Sequence, residues 1–243
     1  MARPIPEDRL SRLVEVATGV FIDQGFRHTR MDDVAEALGV AKGTLYLYVA
    51  SKEALFDLVC RSADQPFDPP TDLPVKSPPP GSTTRYIAGR LAAGQVMPAL
   101  AEALGGRKRD IDGELAAIVG DIYDALARNR VGIKLVDRSA RDIPELGQLW
   151  FGGARTFLVD ALVHYLTDRA RTGRLRAPVD TGVAARFVVE TCAFWAVHRH
   201  WDVGRPGVPE DRIRAAVIDL VKAALLTAPA KSTVTTRTKG RKR

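Results

Sequence analysis

Apolar residues recur at helical spacing along most of the chain, and glycine or proline interrupts the pattern at a few places. Near the amino end, apolar positions every three or four residues from Leu10 to Phe21 predict an amphipathic helix. Gly25 is expected to end this helix, because glycine readily takes the left-handed conformation that follows a helix. Phe26 would then pack back against Phe21.

The segment from Thr29 to Leu58, TRMDDVAEALGVAKGTLYLYVASKEALFDL, predicts two short helices joined by a tight turn. Ala35 is small enough for the second helix to cross close to the first, and Gly39 suits the turn. The apolar residues of both helices form one expected buried seam: Val34, Leu38, Val40 and Leu45. This pattern is typical of a helix-turn-helix unit that reads DNA.

Capping residues support these boundaries. Thr29 with Asp32 resembles a capping box at the start of the first short helix. Ser51, followed by Glu53 in the first turn, is expected to open another helix at Lys52. The first fifty residues are therefore predicted to form a three-helix unit.

The block GTLYLYVASKEALF, preceded by MDDVAEALGV and FIDQGF, resembles the DNA-binding domain of TetR-family transcriptional regulators. The motifs cover about the first quarter of the chain, and the rest resembles the family in layout only. Ala41 stands where the family often has serine, and Val49 where phenylalanine is common. The resemblance implies an all-α fold, with a three-helix helix-turn-helix domain followed by a larger helical domain for ligand binding and dimerisation.

The recognition helix is expected to run from Ala41 to Val49 and to bury Leu45. On its outer side, lysine can donate to guanine or phosphate, and tyrosine hydroxyls can reach phosphates. Packing within the domain is an equally open role for Tyr46 and Tyr48. From the residues and the resemblance, the expected DNA contacts are Arg30, Met31, Lys42, Gly43, Thr44, Tyr46, Leu47, Tyr48 and Lys52.

Seven prolines between Gln65 and Ser82 forbid a helix and predict a semi-rigid connection. Beyond it, helical patterns cover residues 83–104, 113–128, 143–172, 180–201 and 210–228. Pro98 is expected to kink or end the first of them. The predicted domains are residues 1–65 for DNA binding, 66–82 as linker, 83–228 for effector binding and dimerisation, and 229–243 as a basic disordered tail.

Two apolar stripes in the last two predicted helices are candidates for self-association, and the family builds its dimer from such helices. An intramolecular core is the alternative, because periodicity alone does not separate the two roles. The expected interface residues are Phe187, Thr191, Phe194, His198, Trp201, Ile213, Val217, Leu220 and Ala224.

Aromatic residues in the helical body are candidates for an effector pocket, although core packing is the commoner role for any single one. The candidates are Tyr123, Trp150, Phe151, Phe157, Phe194 and Trp195.

Net charge is +7, but the last fifteen residues supply +6 of it. Residues 1–65 hold eight basic and ten acidic side chains. Affinity for DNA must therefore depend on local placement of charge, which favours a site-specific reader over a general nucleic-acid coat.

An enzyme is the rival interpretation, suggested by CAFWAVHRHWD at residues 192–202. His198 and His200 point about 200° apart on a helix and cannot share a metal. Cys60 and Cys192 are expected to be buried apolar residues in a reducing compartment. No leader or membrane-spanning run is found, so a cytoplasmic protein without cofactor, metal or catalytic residues is expected.

The sequence therefore predicts a sequence-specific transcriptional regulator, in the form of a homodimeric repressor released from a near-palindromic operator by a small-molecule effector. A constitutive DNA-binding protein and an activator are the alternatives.

Overall fold

The described parts of the chain, residues 7–94, 97–106, 110–204 and 207–227 of a computed structural model, are built from α-helices. Within these ranges, backbone pairing between extended segments is limited to two isolated bridges, Val49 with Val75 and Leu175 with Leu226. The expected all-α fold is therefore confirmed.

The first four helices pack around one apolar core that includes Leu13, Phe21 and Leu45, all fully buried. We refer to these helices, residues 7–62, as the head. They are α1 (Glu7–His28), α2 (Met31–Leu38), α3 (Lys42–Leu45) and α4 (Lys52–Ser62).

The remaining helices form a larger body around a second core, which includes Leu115, Ile122 and Tyr165. They are α5 (Ser82–Gly94), α6 (Pro98–Leu104), α7 (Ile111–Arg128), α8 (Arg130–Ser139), α9 (Pro144–Gly147), α10 (Arg155–Arg171), α11 (Thr181–Ala196) and α12 (Glu210–Leu225). A π-helical segment (Gln148–Ala154) joins α9 to α10, and a 3₁₀ turn (His198–Trp201) follows α11.

Several predicted helices are divided in the structure. Pro98 is the first residue of α6 and follows the non-helical Met97, so the helix predicted over residues 83–104 is divided before this proline. The single helix expected over residues 143–172 is α9, the π-helical segment and α10 in succession. The basic tail lies outside the described residues.

Helix α8 was not predicted, and it joins the body to the head. Leu135 and Val136 are buried in the core of the head. Arg138 donates from Nε to the carbonyl of Ile22 over 2.8 Å. The backbone N–H of Arg27 donates in turn to Asp142, just beyond α8, over 2.9 Å. The bond from Arg138 satisfies a carbonyl near the carboxyl end of α1, where a helix leaves carbonyls without partners. The bond to Asp142 satisfies the N–H of Arg27 after the break in the helix at Gly25.

The helical conformation of α1 breaks at Gly25, whose φ is 79°. Phe26 then stacks on Phe21 with ring centroids 6.3 Å apart, as predicted. A Cβ at Gly25 would lie 2.9 Å from a carboxylate oxygen of Asp142. Backbone conformation and space therefore both require glycine at this position.

We expect Gly25→Ala to lower the free energy of unfolding by about 1–3 kcal/mol, because alanine is strained at positive φ and would push against Asp142. Urea denaturation measures the change. Gly19→Ala is the matched control in the same helix: its Cβ meets nothing within 4 Å, so it should stabilise by about 0.5–1 kcal/mol. Equal stability of the two variants would contradict this account.

Candidate nucleic-acid interface and internal cavity

A left-handed turn at Gly39 presents α3 on the surface of the head. Gly39 has a φ of 74°, its N–H donates to the carbonyl of Glu36 over 3.0 Å, and that of Val40 donates to Ala35 over 3.0 Å. Leu45 is fully buried and fixes the inner side of α3. The opposite side of α3 consequently faces solvent.

Five of the predicted DNA-contact residues are exposed on or beside this helix: Arg30, Lys42, Gly43, Tyr46 and Leu47. Tyr46 is 42% and Leu47 60% exposed, which is high for such large side chains. Thr44 is half-buried. A tyrosine and a leucine that project into solvent beside a lysine and an arginine offer both apolar and charged contacts to a partner.

The helix is shorter than predicted, since α3 ends at Leu45. The N–H of Tyr48 donates to Leu45 over 2.9 Å, in a tighter turn than an α-helix makes. The proline-rich segment then pairs with this turn: Val75 donates to Tyr48 over 2.8 Å and accepts from Ala50 over 2.9 Å. The proline-rich segment, expected to be only a connection, therefore also binds the turn that follows α3.

Asp32 sits among the basic groups of this surface. Its carboxylate accepts from Lys42 Nζ over 2.9 Å and lies 3.9 Å from Arg30. The hydrogen bond to Asp32 raises the pKa of Lys42. A phosphate that binds Lys42 must therefore compete with Asp32, a feature that the sequence reasoning missed.

Three predicted contact residues have their side chains engaged inside the head, which corrects the expectation. Met31 and Tyr48 are 8% and 4% exposed and pack in its core. Lys52 donates from Nζ to the carbonyls of Phe26 over 2.9 Å and Thr29 over 3.1 Å, and lies 4.6 Å above the Phe26 ring. An ammonium at the carboxyl end of a helix satisfies the free carbonyls there, so Lys52 caps the carboxyl end of α1.

The helix starts follow the prediction in part. Ser51 accepts from the N–H of Ala54 over 3.1 Å, so it caps α4 as expected. Thr29 instead donates to the carbonyl of Gly25 over 2.7 Å, and Asp33 accepts from the N–H of Arg30 over 2.8 Å at the start of α2. The predicted box of Thr29 and Asp32 is therefore wrong.

A cavity of about 380 Å³ lies between the body and α4 of the head. It is lined by α4 of the head and by the body helices, and its walls are mostly aliphatic. Of the predicted pocket residues, Trp150 and Phe157 line it.

The other pocket candidates have different places. Tyr123 is buried in the body core and donates to Glu210 over 2.7 Å. Phe151 and Phe194 are 45% and 42% exposed, and Trp195 packs edge-on against Phe194. The prediction that these four residues line the cavity is therefore corrected. Neighbouring aromatic residues on a helix point to different faces, so they do not all reach one cavity.

The predicted interface residues also divide. Ile213 and Val217 are 5% and 1% exposed and belong to the body core, which corrects their assignment to an interface. Phe187 and Phe194 are 45% and 42% exposed, and Leu220 is 60% exposed. The remaining candidates are half-buried: Thr191, His198, Trp201 and Ala224.

The cluster that suggested an enzyme shows no metal site. His198 lines the cavity, and burial, then Lys134, lower its pKa. No group of three or more candidate ligands that could hold a metal ion occurs in the parts of the chain that the structure describes. Cys60 and Cys192 are buried free thiols, as predicted. No helix in those parts has the length and apolar character to cross a membrane.

Comparisons with known proteins agree on one family. The family model described as bacterial regulatory proteins of the tetR family matches residues 13–59. The HTH-type transcriptional repressor KstR2 of Rhodococcus jostii is 24% identical over 200 residues, 82% of this chain and 81% of its own length. The HTH-type transcriptional regulator YhgD of Bacillus subtilis is 44% identical over 50 residues, 21% of this chain and 26% of YhgD.

Solved structures share the fold of most of the chain. The ketosteroid transcriptional regulator KstR2 of Mycobacterium tuberculosis superposes with a TM-score of 0.55 at 16% identity, over 93% of this chain and 99% of that one. Residues 13–59, which match the family model, contain the turn at Gly39 and the exposed helix α3. Residues 13–59 of this chain are therefore a TetR-family DNA-binding domain.

The departures from the usual TetR-family pattern have plain structural consequences. Ala41 precedes α3 without a side-chain cap, as its lack of a hydroxyl predicts. Val49 is fully buried and forms the bridge with Val75. A smaller side chain at this position is thus compatible with a head closed by the proline-rich segment.

The chain just beyond α4 is also hydrogen-bonded to the body beside the cavity. Asp64, two residues beyond α4, accepts from the N–H groups of Val131 and Gly132 over 3.0 and 2.7 Å. These donors lie in the first turn of α8, where a carboxylate is favourable. Asp64 has a φ of 58°, which is strained for aspartate, and it lines the cavity.

Proposed function

We propose that this protein is a homodimeric TetR-family repressor that binds a near-palindromic operator and is released from it by a small-molecule effector. The observation that carries the proposal is the shared wall between cavity and head: Cys60, Ala63 and Asp64, at the end of α4, line the cavity. A molecule in the cavity therefore touches the helix that follows the recognition turn.

The proposed DNA contact is the exposed side of α3. Lys42, Gly43, Tyr46 and Leu47 face solvent there, with Arg30 beside them. A short helix held by one buried leucine can enter a major groove with these side chains toward the bases. The two KstR2 relatives are named as a repressor and a ketosteroid transcriptional regulator, which supports the sign of regulation and the choice of apolar compounds for a ligand screen.

The proposed dimer face lies on α11 and α12. Phe187, Phe194 and Leu220 are large apolar residues that α11 and α12 leave exposed. One recognition helix reads only a few base pairs, whereas a two-fold dimer reads two half-sites at once. Self-association would therefore both cover this apolar surface and supply the second head.

Release follows from the position of α4. A ligand can shift an equilibrium only as far as its affinities for the two conformations differ. A cavity bounded by α4 on one side and by body helices on the other meets this condition, since movement of α4 changes its shape. Two heads moved apart by a few ångströms lose register with successive major grooves.

The test has two steps. Sequences bound from a random DNA pool identify the operator and its symmetry, and fluorescence anisotropy then measures operator affinity with and without a panel of small apolar compounds. We expect a near-palindrome and at least one compound that weakens DNA binding. If tightly bound compounds leave operator affinity unchanged, the protein is a constitutive DNA binder. If the operator-bound form raises transcription, it is an activator.

We expect Lys42→Ala to weaken operator binding at least about tenfold. The slope of log affinity against log salt concentration should fall by about one released counterion per half-site. The exposed ammonium on α3 is the group lost, and its ion pair with Asp32 is at the surface. Anisotropy titrations at several salt concentrations measure both quantities.

Arg171→Ala is the control for this substitution, because Arg171 is another exposed cation paired with an aspartate, on α10 of the body. Its operator affinity should match that of the unaltered protein. An unchanged salt dependence in Lys42→Ala would exclude Lys42 from the interface.

A further inference from the structure

The cavity wall is aliphatic except for a few polar groups, and most of these are already engaged. Asp64 accepts two backbone N–H groups of α8. Arg155 pairs with Glu190, and Asp137 accepts from the Trp150 indole over 3.3 Å. A ligand gains little from groups whose partners it would have to displace.

Arg90 differs from these groups. Arg90 lines the cavity, and its guanidinium donates to the Tyr86 hydroxyl over 3.3 Å and to Asn129 Oδ1 over 3.0 Å, both neutral acceptors. Arg155, the other arginine of the wall, has a carboxylate partner, whereas Arg90 makes no ion pair with the described residues. Arginine has five N–H donors in a planar fork, so donors remain for a further acceptor.

Asn129 fixes the orientation of Arg90. Its Nδ2 donates to the carbonyl of Ala125 over 2.9 Å, which leaves Oδ1 directed at the guanidinium. Asn129 itself lies between α7 and α8. The guanidinium is thus held in place at the cavity wall before any ligand binds, which lowers the cost of ordering it.

We propose that the effector is an amphipathic monocarboxylate, with an apolar body in the aliphatic part of the cavity and a carboxylate bound by Arg90. The inference rests on the proposed function of the cavity and names its ligand class. A carboxylate matches the planar fork through paired hydrogen bonds and places a negative charge beside Arg90 in a mostly aliphatic wall. The volume of about 380 Å³ is in the range of small-molecule sites.

The test compares straight-chain carboxylates from hexanoate to tetradecanoate with the primary alcohols of the same length. Isothermal titration calorimetry measures binding to the full chain, and anisotropy measures release of operator DNA. We expect the best acid to bind about ten- to a hundredfold more tightly than its alcohol. In Arg90→Gln this difference should disappear, with alcohol affinity unchanged.

Arg155→Gln is the matched control, because it removes the other arginine of the same wall and should leave the preference for acids intact. Unchanged alcohol binding in Arg90→Gln also shows that the cavity is still folded. The ligand class is overturned if alcohols bind as well as acids, if Arg90→Gln retains the preference, or if no acid binds. The function of the cavity fails separately, if ligands bind but operator affinity does not change.

Discussion

Replacing Phe187 and Phe194 with glutamate is expected to give a monomer that binds operator DNA at least about a hundredfold more weakly. The two residues are seven apart on α11 and share one exposed face. Val188 and Cys192 between them are buried in the body core, so the substitutions leave that core intact. A charge at each position must be desolvated when two such faces meet, which strongly disfavours association.

Sedimentation velocity measures the state of association, and anisotropy measures operator affinity of the same preparation. Val179→Glu is the control, because Val179 is a fully exposed apolar residue in the loop before α11. It adds one glutamate away from the proposed face and should remain dimeric with unchanged affinity. A Phe187→Glu/Phe194→Glu protein that is still dimeric would place the interface elsewhere.

The head was largely predictable from the sequence, because its decisive features are local. The stop at Gly25, the turn at Gly39 and the cap at Ser51 each depend on contacts within a few residues. The family motifs lie in the same segment, and the family match covers it. The sequence therefore contained both the physical signal and the resemblance for this part of the chain.

Features that depend on distant residues were not predictable in the same way. Lys52 resembles a surface cation in sequence, yet its ammonium meets the end of α1. The recognition helix is cut short by a turn that pairs with Val75. Asp32 lies ten residues before Lys42 in the sequence, and only the fold shows that their charged groups meet at 2.9 Å.

The cavity illustrates a different reason. The sequence favours large aromatic residues as pocket candidates, but most of the wall is aliphatic and comes from several helices, chiefly α5, α6, α8 and α10. Helix α8 itself was missed, since it follows α7 after the single residue Asn129 and has Gly132 in its first turn. Which helix faces meet around a cavity depends on packing angles that periodicity does not specify.

Glu114 and Arg169 form an ion pair inside the body, and its disruption should have the largest effect on stability. Arg169 Nε lies 2.7 Å from Glu114 Oε1, with only 10% and 2% of their side chains exposed. Arg169 also donates to the carbonyl of Ala103 over 2.9 Å, and Tyr165 donates to the same Glu114 oxygen over 3.2 Å. The pair thus connects α6, α7 and α10.

We expect Arg169→Met to lower the free energy of unfolding by about 3–5 kcal/mol, because it leaves the Glu114 carboxylate buried without its main partner. Glu114→Gln/Arg169→Met should regain part of this loss, since it also removes the buried carboxylate charge, which Arg169→Met leaves with only Arg174 at 3.8 Å as an ion-pair partner. Arg171→Met is the control: Arg171 is 74% exposed, and its loss should change stability by no more than about 0.5 kcal/mol. Urea denaturation at equal protein concentration compares the variants, as self-association contributes to apparent stability. If Arg169→Met is as stable as Arg171→Met, or if the double variant is less stable than Arg169→Met, the buried pair does not hold these three helices together.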